Sequence, residues 1–142
     1  MIVKSGVIRQ HHWRVTIFLE CRAEDAGFIL AQIARLSPSP DTLRSIARNL
    51  TQSHLNSGLT FTSRTMRETM MVISATTSAE EFFNTFLHEL QHAEGHILPE
   101  LGIPPTSEQA AYFRGGLARD LYPHIKHLLC ECCRFVAKKT RK

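Results

Sequence analysis

Apolar positions recur along this chain with two periods. Between Trp13 and Cys21, Val15, Ile17 and Leu19 alternate with Thr16 and Phe18, the two-residue repeat of a strand. From Ala23 to Leu36 the spacing lengthens, and Phe28, Ile29, Ile33 and Leu36 make the apolar side of a helix. Ser37-Pro38-Ser39-Pro40 interrupts it, with Ser39 as cap and Pro40 at the first position of a second helix. That helix covers about 40–56, presents Leu43, Ile46, Ala47, Leu50 and Leu55, and stops at Asn56-Ser57-Gly58. Two strands follow at about 59–64 and 67–74, rich in Thr, Met, Val and Ile.

The helical period then returns most clearly. Ser78 and Glu81 form a capping box that opens a helix over about 79–97. Phe82, Phe86, Leu90, Ala93 and Ile97 continue its apolar rhythm. After Pro104-Pro105, Thr106 and Gln109 form a second capping box. The last helix starts at Ser107, kinks or breaks near Pro123 and runs to about Val136. These elements predict an α+β fold: one compact domain over 1–133, a small antiparallel or mixed sheet of about three strands packed with four helices, and a short tail over 134–142.

The candidate chemistry lies on the helix at 79–97. His88-Glu89-Leu90-Gln91-His92 reads His-Glu-x-x-His. Residues four apart project from one helix face, about 40° and about 6 Å apart. That spacing allows two imidazoles to reach one tetrahedral Zn²⁺ at about 2.0–2.1 Å each. Glu89, beside the first histidine, is placed to act as general base toward a water at the ion. On a helical wheel Phe82, Phe83, Phe86, Leu87, Leu90 and Ala93 fill one broad arc, with the two histidines almost opposite it and Glu89 to one side. With the composition of this chain, chance produces the pattern with a probability of roughly 0.03, so the pattern carries information.

A third ligand has to come from elsewhere. A metzincin would place histidine six residues after His92, where this chain has Leu98. His96 lies about 12 Å along the axis from His88 on a continuous helix, so it qualifies only if the helix breaks at Gly95. Glu108, in the first turn of the next helix, is the better candidate, because the intervening loop can turn that end back toward the first helix. The same residue also suits the positive end of the helix dipole without any metal.

The stretch from Thr77 to His92, followed by Ser107-Glu108-Gln109-Ala110-Ala111-Tyr112-Phe113-Arg114-Gly115, resembles a family of small zincin-like metallopeptidases of Bacteroides-type bacteria, phage and other mobile elements. Their pattern is His-Glu-x-x-His, a loop, then Glu-x-x-Ala-Tyr on the next helix. The preceding strand pair, Gly58–Thr62 and Met70–Ser74, is also similar, and the resemblance covers about residues 57–122. It implies a zincin-like fold with the motif on a central helix, His88, His92 and Glu108 as zinc ligands, and Glu89 as base. It also implies an edge strand beside the cleft that pairs with an extended peptide substrate. The function expected is a zinc-dependent hydrolase, a metallopeptidase or amidase. The alternative is a zinc-binding regulatory or interaction module without catalysis. Tyr112 and the histidines His54, His96, His124 and His127 are candidates for stabilising an oxyanion.

Composition narrows the partners. The chain has 142 residues, 43% hydrophobic, and a formal charge of +4. The segment Arg134–Lys142 holds five Lys/Arg and no acid, and the remainder carries 12 basic against 13 acidic residues. The positive charge is thus terminal, and no aromatic or recognition motif accompanies it, so nucleic acid is not an expected partner. No apolar stretch approaches a membrane span, and residues 1–12 lack the apolar core of a secretory signal, so a cytoplasmic protein is expected. Cys21, Cys130, Cys132 and Cys133 do not form the paired knuckles of a structural zinc site, and free thiols are expected. A second metal site or a redox role for the C-x-C-C cluster is the alternative.

Overall fold

A computed structural model describes residues 1–8, 11–51 and 58–140. The chain divides into two compact units, Met1–Ala75 and Thr76–Lys142, where its length predicts one domain. The described residues form a four-stranded mixed sheet and five α-helices, an α+β fold with one strand and one helix more than the sequence pattern indicates.

The first unit holds β1 (Ile2–Ile8), β2 (Trp13–Cys21), α1 (Ala26–Ala34), α2 (Pro40–Thr51), β3 (Gly58–Ser63) and β4 (Glu68–Ser74). The sheet order is β1-β2-β4-β3. β1 runs antiparallel to β2, β4 parallel to β2, and β3 antiparallel to β4. A parallel neighbour cannot be reached by a tight turn, so the chain leaves β2, builds α1, α2 and β3, and returns along β4. β1 is the added strand. Its centre, Lys4-Ser5-Gly6, has little strand preference of its own, and it becomes a strand because β2 offers a ladder from Ile2 opposite Leu19 to Ile8 opposite Trp13.

β2 departs from the expected half-buried alternation. Thr16 and Phe18 are buried together with Val15, Ile17 and Leu19, so both faces of this central strand are covered. On one face Phe18, Met70 and Val72 meet Ile29 and Ile33 of α1 and Ile46 and Leu50 of α2. Each such fully buried side chain contributes about 1.5–3 kcal/mol of transfer free energy. The buried polar atoms have partners: Trp13 Nε1 donates to Thr69 Oγ1 at 3.0 Å, and Thr69 Oγ1 lies 2.9 Å from Thr62 Oγ1. The β2–β4 register shifts between Phe18 and Cys21, where Glu20 adopts a φ of 55°, as at a bulge. α2 is described to Thr51, and the remainder of the expected 40–56 helix, with His54, lies outside the described residues.

The second unit holds α3 (Ala79–Glu100), α4 (Glu108–Ile125) and α5 (Glu131–Thr140), with a short 3₁₀ turn at Lys126–Leu128. The expected kinked last helix is two helices. Pro123 removes a backbone donor, and α4 ends two residues later. The cap of α3 is Ser78, whose Oγ accepts the Glu81 N–H at 3.1 Å. The Glu81 carboxylate reaches back to Thr77, accepting its N–H at 2.8 Å and its hydroxyl at 2.6 Å. The cap of α4 is Ser107 rather than Thr106: its Oγ accepts the Ala110 N–H at 3.1 Å.

The expected tail also takes a different form. Arg134, its first residue, lies inside α5 and is only 4% exposed. Its guanidinium donates to the Thr76 carbonyl at 2.5 Å and to Thr76 Oγ1 at 3.2 Å. The Glu131 carboxylate accepts the Ala79 N–H at 2.6 Å, tying the start of α5 to the first turn of α3. No described helix is long and apolar enough to cross a membrane.

Candidate metal centre

α3 is one uninterrupted helix of 22 residues. Its buried side chains are Phe82, Thr85, Phe86, Glu89, Leu90, Ala93, Glu94, Ile97 and Leu98. They recur at three- and four-residue intervals, so one stripe of the helix faces the protein. His88 and His92 stand outside that stripe and are exposed.

The helix turn brings the two histidines together. Nε2 of His88 and Nε2 of His92 are 3.2 Å apart, and the ring centroids are 4.8 Å apart at 74° between planes. Two nitrogens bound at about 2.0–2.1 Å to one tetrahedral ion are separated by about 3.3–3.4 Å. The separation of the two Nε2 atoms is therefore close to that of two ligands of one ion. In the absence of an ion, the same contact is a hydrogen bond between one protonated and one unprotonated ring nitrogen.

Glu89 sits elsewhere on the helix circumference. It is 2% exposed and lies in the buried stripe beside Leu90 and Ala93. A second acid, Glu94, shares that stripe at 4% exposure. Its carboxylate accepts from Arg114 Nε at 2.8 and 2.6 Å and pairs with the Arg114 terminal nitrogen at 2.6 Å. This fork joins α3 to α4, and it holds the Arg114 guanidinium above its ordinary pKa. The sequence carried one signal for it: Glu94 falls within an apolar arc, where a charge requires a partner.

Glu108 is the first residue of α4 and is exposed. It precedes by two residues Ala110, which packs in a small cluster with Leu98 and Ile103. Leu98 is six residues, or about 9 Å along the axis, beyond His92. Among the described residues, no three His, Cys, Asp or Glu side chains gather in a group fit to hold a metal ion. The turn of α3 assembles the histidine pair, and Glu108 stands at the start of the next helix. His96 has not moved closer either. α3 does not break at Gly95, and the His92 and His96 ring centroids are 6.4 Å apart.

Of the candidate oxyanion groups, Tyr112 is 75% exposed, and His124 and His127 lie on the later part of the unit, at the end of α4 and in the 3₁₀ turn. Compared with family models, curated proteins and solved structures, the chain has no match.

Proposed function

We propose that this protein is a zinc-dependent hydrolase of metallopeptidase or amidase type, with a zincin-like site. His88 and His92 hold the ion, Glu108 is the third ligand, and Glu89 is the general base. The observation that carries this reading is the 3.2 Å separation of the two Nε2 atoms on a continuous helix, with a carboxylate one residue after the first histidine. When bound, zinc supplies Lewis acidity toward a carbonyl and lowers the pKa of a water to about 7. The chain's own residues do the rest. The histidines fix the position of the ion, and the burial of Glu89 keeps its carboxylate away from bulk water. Glu89 takes a proton at a carboxylate oxygen and returns it to the leaving amine. The substrate class is a peptide or protein presenting an extended backbone.

A second reading has its own support. Among the described residues no third His, Cys, Asp or Glu side chain gathers with the histidine pair, and Glu89 is buried while the histidines are exposed. In that reading the pair binds zinc without turnover, and the protein is a regulatory or interaction module.

One set of measurements separates the two. Zinc content is determined for untagged protein and for His88→Ala and Glu108→Ala, and a peptide library is then screened with wild type and Glu89→Gln. About one zinc per chain, lost in both alanine variants, supports the three-ligand site. Turnover that disappears in Glu89→Gln while zinc remains supports the hydrolase. Zinc that survives Glu108→Ala, with no turnover by any form, supports the module. No zinc in any form, even after titration, overturns both.

A further inference from the structure

The start of α5 carries a second cluster of reactive side chains, unconnected with the histidine pair. The Cys130 carbonyl accepts the Arg134 N–H at 3.0 Å, the first backbone bond of the helix. The Cys130 Sγ accepts the Cys133 N–H at 3.3 Å. Cys130 therefore occupies the cap position, and its sulfur takes the place that a serine or aspartate oxygen fills at other helix starts. Cys130, Cys132 and Cys133 are all exposed free thiols.

This arrangement separates the roles of the sulfurs. The N–H of Cys133, and after it the Cys133 thiol, hold the Cys130 thiol below its ordinary pKa; the neighbouring Glu131 carboxylate opposes this. The same thiol contact pushes Cys133 up, and the Lys126 ammonium opposes that rise. Of the two sulfurs, Cys130 therefore ionises more readily than Cys133. Residues three apart at a helix start have Cα atoms about 5 Å apart, within the range a disulfide spans. They project only about 60° apart around the helix, whereas Cys132 projects about 160° from Cys130. Cys132 instead lines a groove of ≈ 430 Å³ with Thr77, Glu131, Arg134 and Phe135.

We propose that Cys130 and Cys133 form a redox-active dithiol that reduces low-molecular-weight disulfides, with Cys130 attacking and Cys133 resolving. The Cys130 thiolate attacks one sulfur of R–S–S–R, forms a mixed disulfide and releases one R–S⁻. Cys133 loses its proton to solvent, and its thiolate attacks the Cys130 sulfur, releasing the second R–S⁻. The chain loses two electrons to the substrate and gains one internal disulfide, and the two thiol protons end on the two released thiols. Closure also weakens the sulfur as an acceptor for the Cys133 N–H, so the start of α5 is better held in the reduced form.

The test uses the reduced full-length chain in buffers of oxidised and reduced glutathione, without oxygen, with intact mass as readout. Wild type and Cys132→Ser should each lose about 2 Da as the bridge closes. Cys133→Ser should instead trap one glutathione on Cys130, and Cys130→Ser should react about tenfold more slowly than wild type. With only one of the three thiols left, Cys130 should be alkylated by iodoacetamide at neutral pH about tenfold faster than Cys132. Far-ultraviolet circular dichroism checks that each serine variant is folded. The proposal is overturned if Cys132→Ser fails to close, if Cys130→Ser closes as fast as wild type, or if Cys130 and Cys132 alkylate at equal rates.

Discussion

Replacing Arg114 with methionine should destabilise the α3–α4 hairpin by about 2–3 kcal/mol. The figure comes from the geometry of one pair. The Glu94 side chain is 5% exposed, and the Arg114 side chain is 55% exposed. Methionine keeps much of the aliphatic packing of arginine, so the change isolates the loss of the cation. Stranding a carboxylate in a fully buried pair costs about 3–5 kcal/mol. Here solvent reaches the arginine side, and water can enter to replace part of the lost hydrogen bonding, which lowers the value. For a chain of this size the loss corresponds to roughly 10 °C in Tm. Urea unfolding followed by circular dichroism, at fixed pH and salt, measures it directly. A double-mutant cycle with Glu94→Leu should show coupling of about 1.5 kcal/mol or more. The double variant should lie closer to wild type than Arg114→Met alone, because it strands no charge. A single-variant loss below about 0.5 kcal/mol, or additive effects in the cycle, would refute the idea that this fork sets the α3–α4 pairing.

Three further outcomes follow from local chemistry. Ser107→Ala should cost about 1 kcal/mol, because the Ala110 N–H loses its acceptor, whereas Thr106→Ala should have little effect; urea midpoints compare the two. The Glu81 carboxyl is held below its ordinary value of 4.5, first by the Thr77 hydroxyl and then by the Thr77 N–H. A depressed folded-state pKa adds stability above the unfolded value and loses it as pH falls through the folded one. Stability of Glu81→Gln should therefore fall less steeply than that of wild type as pH drops below 4.5, and parallel curves would count against the Thr77 contacts. Burial pushes the Cys21 thiol up to about 12, so at pH 8 iodoacetamide should label Cys130, Cys132 and Cys133 while sparing Cys21 until urea unfolds the chain. Labelling of Cys21 in native protein would refute its burial in the sheet core.

Relations between residues close in sequence were legible without coordinates. A repeat of about 3.6 residues per turn determines that side chains four apart share a face. The histidine pair and the buried positions Phe82, Phe86, Leu90, Ala93 and Ile97 follow from that rule, whereas Phe83 and Leu87 of the expected arc are exposed and Glu89 is buried, because packing turns the buried stripe toward Glu89 and Glu94. The strands at β2, β3 and β4 declare themselves by alternation and composition, because β-branched and aromatic residues suit a pleated surface. The strand β1 does not, since Lys4-Ser5-Gly6 becomes extended only through the ladder that β2 supplies. Burial of both faces of β2 was equally hidden, because Thr16 resembles a solvent-facing residue until the sheet is covered. At the candidate site the same division holds. Spacing along α3 placed His88 beside His92, but Glu108 sits on another helix. Its distance from the pair depends on how α4 leaves the loop and packs through Ala110 and Arg114. Likewise, Cys130 and Cys133 become a capped pair only because α5 begins between them, at Glu131. Periodicity determines neighbours within one element, whereas the contacts between elements come from packing, which a linear pattern does not encode.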